Sequence, residues 1–98
     1  VDRRQLGLQV TAFVLVTVET QDVRKLKGFH AAVEAEPCII ECHAMSGSHD
    51  FLLKAVAMNM EHFSDLVMER MLRIPGVKSV ESNFSLRAIK ENSPIPIL

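Results

Sequence analysis

The sequence predicts an α+β fold of the ferredoxin-like βαββαβ type, an antiparallel four-stranded sheet with both helices on one face. Three observations predict it. Apolar, β-branched or alternating runs fall at 11–19, 38–46, 51–58 and 77–90 and read as strands. Between the first and second runs, and between the third and fourth, apolar residues recur at spacings of three and four, the signature of an amphipathic helix. The second and third runs are separated by Gly47-Ser48, a pair suited to a tight hairpin because glycine reaches the positive φ of a primed turn.

Size and composition narrow the function. The 98 residues suit one domain, and a hydrophobic fraction of 48% is enough to form a core. A net charge of -1 argues against nucleic-acid binding by this segment, since phosphate recognition needs a basic face. Trp and Tyr are absent, which removes the usual platforms for stacking bases. No apolar run approaches the roughly 18 residues of a membrane span, and no signal peptide is visible. Cys38 and Cys42 lie four apart in one predicted strand, a separation of roughly 13 Å that no disulfide spans. They read as reduced, semi-buried thiols, and the expected localisation is cytoplasmic.

The elements follow in order. Residues 1–10, polar with Gly7 near their end, read as an incoming linker or arm, and residues 11–98 as the folded domain. In the first strand Phe13 and Leu15 point one way, and Ala12, Val14, Val16 and Val18 the other. Thr20 and Asp22 are candidate N-caps for a helix to about Ala35. Its stripe is Val23, Leu26, His30 and Val33, with Phe29 beside it. Gly28 costs that helix up to about 1 kcal/mol against alanine, so close packing is expected there. Pro37 ends the element.

In the second strand Ile40, Cys42 and Ala44 alternate with Ile39, Glu41 and His43. In the third, Phe51, Leu53, Ala55 and Ala57 share one side, and Leu52, Lys54, Val56 and Met58 the other. Asn59 caps a second helix to about Ile74, with Met60, Phe63, Leu66, Val67, Met71 and Ile74 as its apolar stripe, and Pro75-Gly76 stops it. Val77 to Lys90 reads as the fourth strand, and the proline-punctuated tail as an extended piece at an edge. The helices cover only one sheet face, yet the first and third strands are apolar on both. Each Val or Leu left in water forgoes about 1.5–3 kcal/mol of burial. The free face is therefore expected to pack on a second copy, as a two-fold dimer with sheets face to face.

Several stretches together resemble the C-terminal effector-binding (RAM) domain of Lrp/AsnC-type, or feast/famine, transcriptional regulators. They are Leu6-Gly7, Ala12-Phe13-Val14, Glu41-Cys42, Ser46 to Lys54, Ile74-Pro75-Gly76-Val77, Lys90 and Pro96-Ile97. The resemblance covers nearly the whole chain. It implies a dimeric α/β barrel formed through the sheets, higher homo-oligomers such as octamers, and a small effector, usually an amino acid, bound between dimers. DNA is gripped in that family by a separate N-terminal helix-turn-helix. Val1 to Leu8 matches the stretch that follows it, so the chain is expected to be the effector part of a longer regulator. The alternative is a stand-alone RAM-like ligand-binding or ligand-free assembly module.

The hairpin carries the candidate ligand-binding residues: Gly47, Ser48, His49 and Asp50. Backbone N–H groups at a glycine turn can receive a carboxylate, and Asp50 can receive an ammonium group. Asp50 stands where the family has its ligand-linked aspartate, whereas Ser48 replaces a frequent Asp and His49 a usual aromatic. Ser82 falls near a position where the family often carries Thr close to the pocket. Asp50 could alternatively serve only to cap the hairpin. No Cys-x-x-Cys or His-x-x-x-His pair is present, so neither a metal nor another cofactor is expected. Among the inward stripes only His30 could act as an acid or base, with no partner to tune it, so an enzyme is not expected.

Overall fold

The computed structural model describes residues 10–19, 23–91 and 93–96. The strands are β1 (Val10–Val18), β2 (Ile39–Ala44), β3 (Phe51–Ala57) and β4 (Val77–Phe84). Helix α1 spans Val23–Ala35 and helix α2 starts at Met60–Asp65. The sheet has the order β2-β3-β1-β4, with every neighbouring pair antiparallel. This is the predicted ferredoxin-like arrangement, with β3 and β1 in the middle.

The alternation read from β1 and β3 holds. Val14 pairs with Leu53 and Ala12 with Ala55, so small and branched side chains form one continuous row across the central strands. Onto this row α1 packs Phe29 and Val33, and the second helix packs Phe63, Leu66 and Met71. Phe84 of β4 closes the far side by meeting Phe63 edge to face, with ring centroids 5.0 Å apart. The centre of the α1 stripe is thus Phe29, 1% exposed, while His30 is exposed. His30 is displaced because its ring lies at the rim of that face, against Phe29 and Phe51.

Helix α2 starts as predicted: Asn59 Oδ1 accepts the His62 N–H at 2.7 Å, satisfying one of the first-turn donors. It does not continue as a uniform α-helix. Leu66–Arg70 form a π-helical turn and Met71–Arg73 a 3-10 turn. Leu66 and Met71, five apart, are both 2% exposed, and the wider π turn brings residues five apart onto one face. Met60, expected in the stripe, is instead 55% exposed.

Three other expectations need correcting. The hairpin is not a two-residue turn: Met45 N–H donates to the Asp50 carbonyl at 2.9 Å, enclosing the four residues from Ser46 to His49. Gly47 does adopt a positive φ, 123°. In β2 a bulge between Ile39 and Glu41 turns Ile39 to the helix side, where it joins the core together with Cys38, which lies just before the strand. The fourth strand stops at Phe84; beyond it, Ser85 N–H donates to the Thr11 carbonyl at 2.9 Å, near the start of β1. Leu86 and Ile89 beyond it are 96% and 89% exposed. The predicted caps Thr20 and Asp22, and residues 1–9 of the predicted 1–10 arm, lie outside the described residues; Val10, the last of that arm, is the first residue of β1.

Gly28 also departs from expectation. It is exposed, and a Cβ built there meets nothing within 4 Å. Gly28→Ala should therefore stabilise the domain by up to about 1 kcal/mol, measurable as a higher urea midpoint with unchanged slope. A destabilised variant would show that something does pack on this face.

The sheet face away from the helices has an apolar middle and a polar margin. Phe13 (38% exposed) and Leu15 of β1 lie beside Leu52 of β3. On the outer strands stand Glu41 and His43 of β2, joined at 2.9 Å, and Glu81 and Asn83 of β4. Lys54 reaches Glu41 at 3.9 Å, and its ammonium lies 6.0 Å from the Phe13 ring centroid.

Candidate functional site

The hairpin loop and the end of β1 form one hydrogen-bonded unit. Antiparallel pairing of β1 with β3 runs to Val16 and Phe51, and the next bond is Asp50 N–H to the Val16 carbonyl at 3.0 Å. The Asp50 side chain then replaces a backbone acceptor: its Oδ2 accepts the Val18 N–H at 2.8 Å. His49 Nδ1 and Thr17 Oγ1 lie 3.1 Å apart, a bond that either group can donate according to the histidine tautomer. His49 and Asp50 are accordingly half-buried, while Gly47 and Ser48 stand in solvent. A carboxylate has about four acceptor positions, so the bond to Val18 leaves capacity for a ligand cation.

Four of the five candidate residues thus share one loop. Ser82 is not brought to it. It pairs with Val14 across from β4, half-buried, in the helix-side row with Val80 and Phe84. The β4 residues level with the hairpin end of β1 are Val80, Ser79 and Val77. Thr17 and Val18 were missed as members of the site, because only the register of β1 on β3 carries them to the hairpin.

Cys38 and Cys42 are both free thiols. Burial pushes both above the ordinary thiol range, and at Cys38 the nearby Glu36 carboxylate adds to the effect. Alkylation by iodoacetamide at pH 7.5 should therefore be slower at both than in a free cysteine; a fast-reacting site would contradict this. Glu36 is held by Arg70, which donates from Nη1 at 2.8 and 2.7 Å to its two oxygens. This pairing raises the Arg70 pKa further.

Cys38 Sγ lies 3.9 Å from His62 Nε2, the closest approach to a metal-ligand pair in this region. Met58 N–H donates to His62 Nδ1 at 3.0 Å, which places the ring proton of the neutral form on Nε2. That tautomer points a proton, and not a lone pair, at the sulfur. Among the described residues no group of three or more His, Cys, Asp or Glu is arranged to hold a metal ion. No described helix is long and apolar enough to cross a membrane.

Comparison with known proteins agrees with this architecture. Residues 11–95 match the Lrp/AsnC ligand binding domain. The leucine-responsive regulatory protein of Rhizobium meliloti is 33% identical over 92 residues, covering 94% of this chain and 59% of its own length. Transcriptional regulator AzlB of Bacillus subtilis is 28% identical over 97 residues, covering 99% of this chain and 62% of its own. Among solved structures, a transcriptional regulator of Neisseria meningitidis in complex with L-Met superposes with a TM-score of 0.91 at 29% identity. That match covers 98% of this chain and 62% of the regulator. The chain spans about three fifths of the length of these relatives, all of them transcriptional regulators. It belongs to the Lrp/AsnC family, whose ligand-binding domain it matches over nearly its whole length.

Proposed function

We propose that this domain senses a small effector, an amino acid, and couples it to assembly of a regulator whose DNA contacts are made by a separate part of the protein. The observation that carries the proposal is the hairpin. The loop is exposed and turns at a positive-φ glycine, and beside it stands a carboxylate anchored to β1; the loop's backbone N–H groups are the proposed receiver for the ligand carboxylate. A free amino acid needs both, an anion receiver and an anion, at short range. Gly47, Ser48, His49 and Asp50 are the proposed contacts. Ser82 joins them only through another copy or through the helix-side face. The L-Met complex of the Neisseria regulator supports an amino acid as the effector class.

Assembly rests on the open sheet face. Its apolar middle and charged margin have the anatomy of a protein interface, with a dry centre and a polar rim. The proposed unit is a two-fold dimer through this face, with the effector held where dimers meet. No catalytic role is proposed.

The test is calorimetric titration of the protein with each common L-amino acid. One or a few should bind saturably, and Asp50→Asn should weaken them. Failure of every amino acid to bind would favour the ligand-free assembly module, for which Ser48 in place of the family's frequent Asp is the specific support.

A further inference from the structure

A second opening lies on the helix side of the sheet and uses none of the hairpin residues. Helix α1 sets Phe29 against Phe51 of β3, ring centroids 4.6 Å apart and 29° from parallel. Farther along β2, the helix-side residues Cys42 and Ala44 remain exposed beside α1. The gap is a cleft of about 310 Å³ lined by His30, Val33 and Glu34 of α1, Cys42 and Ala44 of β2, and Phe51. Small-molecule sites begin at about this volume.

The lining has a definite chemistry. Phe51 and Val33 make an apolar floor. The His30 ring stands edge-on to Phe51, 5.9 Å away at 88°, and forms a flat wall. Ala44 and Cys42 are short and leave the space open. Glu34, one helical turn after His30, brings a negative charge to the rim, and among the described residues no Lys or Arg lines the cleft to balance it. Partial desolvation pushes the Cys42 thiol above its ordinary range, which works against a second anion there.

We infer that this cleft binds a small organic amine: an ammonium group at Glu34, with an apolar or aromatic body against Phe51 and His30. Charge-assisted hydrogen bonding to the carboxylate and cation–π attraction to the ring both favour a cation. The described lining offers a carboxylate and no Lys or Arg, so an amine is preferred over the corresponding amino acid. This separates the cleft from the proposed effector site at the hairpin.

The experiment titrates 2-phenylethylamine into the full chain, with 3-phenylpropionate and L-phenylalanine as comparisons, followed by amide chemical shifts. The amine should bind saturably, shift the amides of residues 30–34 and 42–44, and outcompete both comparisons. Glu34→Gln should weaken it about tenfold or more. Ala44→Leu, at an exposed position that tolerates a larger side chain, should fill the cleft and abolish binding. Asp50→Asn should leave amine binding unchanged while weakening any amino acid bound at the hairpin. Absence of saturable binding, equal binding of 3-phenylpropionate, or indifference to both cleft variants would overturn the inference. So would a change of oligomeric mass in Ala44→Leu, which would assign the surface to a second copy.

Discussion

Leu15→Glu should leave the fold intact and prevent the proposed sheet-to-sheet dimer from forming. Leu15 lies on the open sheet face next to Leu52, on a central strand. In the isolated subunit this side chain is only partly covered, so a charge there costs the monomer little. In a two-fold interface the same substitution acts twice. Losing burial of two leucines costs about 3–6 kcal/mol, and two carboxylates would be desolvated besides. A dissociation constant raised by at least a hundredfold is expected by sedimentation equilibrium, with a near-wild-type circular dichroism spectrum. Serine at Gly28, on the opposite side of the molecule, should leave the mass unchanged. If Leu15→Glu assembles like the wild type, the open face is not the interface.

Substitution of Asp50 should separate two roles of one carboxylate. Asp50→Asn keeps an oxygen able to accept the Val18 N–H but loses the charge; Asp50→Ala loses both. Removing a charge-assisted hydrogen bond to a ligand ammonium costs about 1.5–3 kcal/mol, so both variants should bind the effector some ten- to a hundredfold more weakly. Only alanine strands the Val18 N–H, at a further cost to stability of about 1–3 kcal/mol. The expected pattern is therefore equal losses of affinity with unequal losses of stability. An alanine variant that unfolds more readily, beside an asparagine variant with full affinity, would make Asp50 a structural cap and nothing more.

The contrast between these two residues shows what the sequence carried and where it stopped. The two faces of β1 and β3 were legible because period-two alternation depends only on the chain's own pleat. Leu15 could be placed on the open side before any partner strand was known. The location of Asp50 in a polar hairpin was legible for a similar reason, since Gly47 needs a positive φ that few other residues adopt. The bond from Asp50 to Val18 was not, and neither was the Thr17–His49 contact. Both depend on the register between β1 and β3, residues about thirty positions apart, which no local pattern encodes. The bulge after Ile39 and the π turn at Leu66 were hidden differently. Each inserts one residue into a regular repeat, and the repeat continues well enough on either side to mask it. His30 was placed one step too far inward because Phe29 and His30 sit on adjacent lines of the helix, and packing on Phe51 decided between them.

The central claim is that an open apolar sheet face and an amino-acid clamp belong to one effector-responsive assembly. It is tested most directly by the mass of the protein in solution, from light scattering with and without each amino acid that binds by calorimetry. The expected result is a dimer or a multiple of dimers of the 11.0 kDa chain, with a mass or dissociation constant that shifts when one amino acid is added. A monomer at tens of micromolar, unchanged by every amino acid, would contradict it.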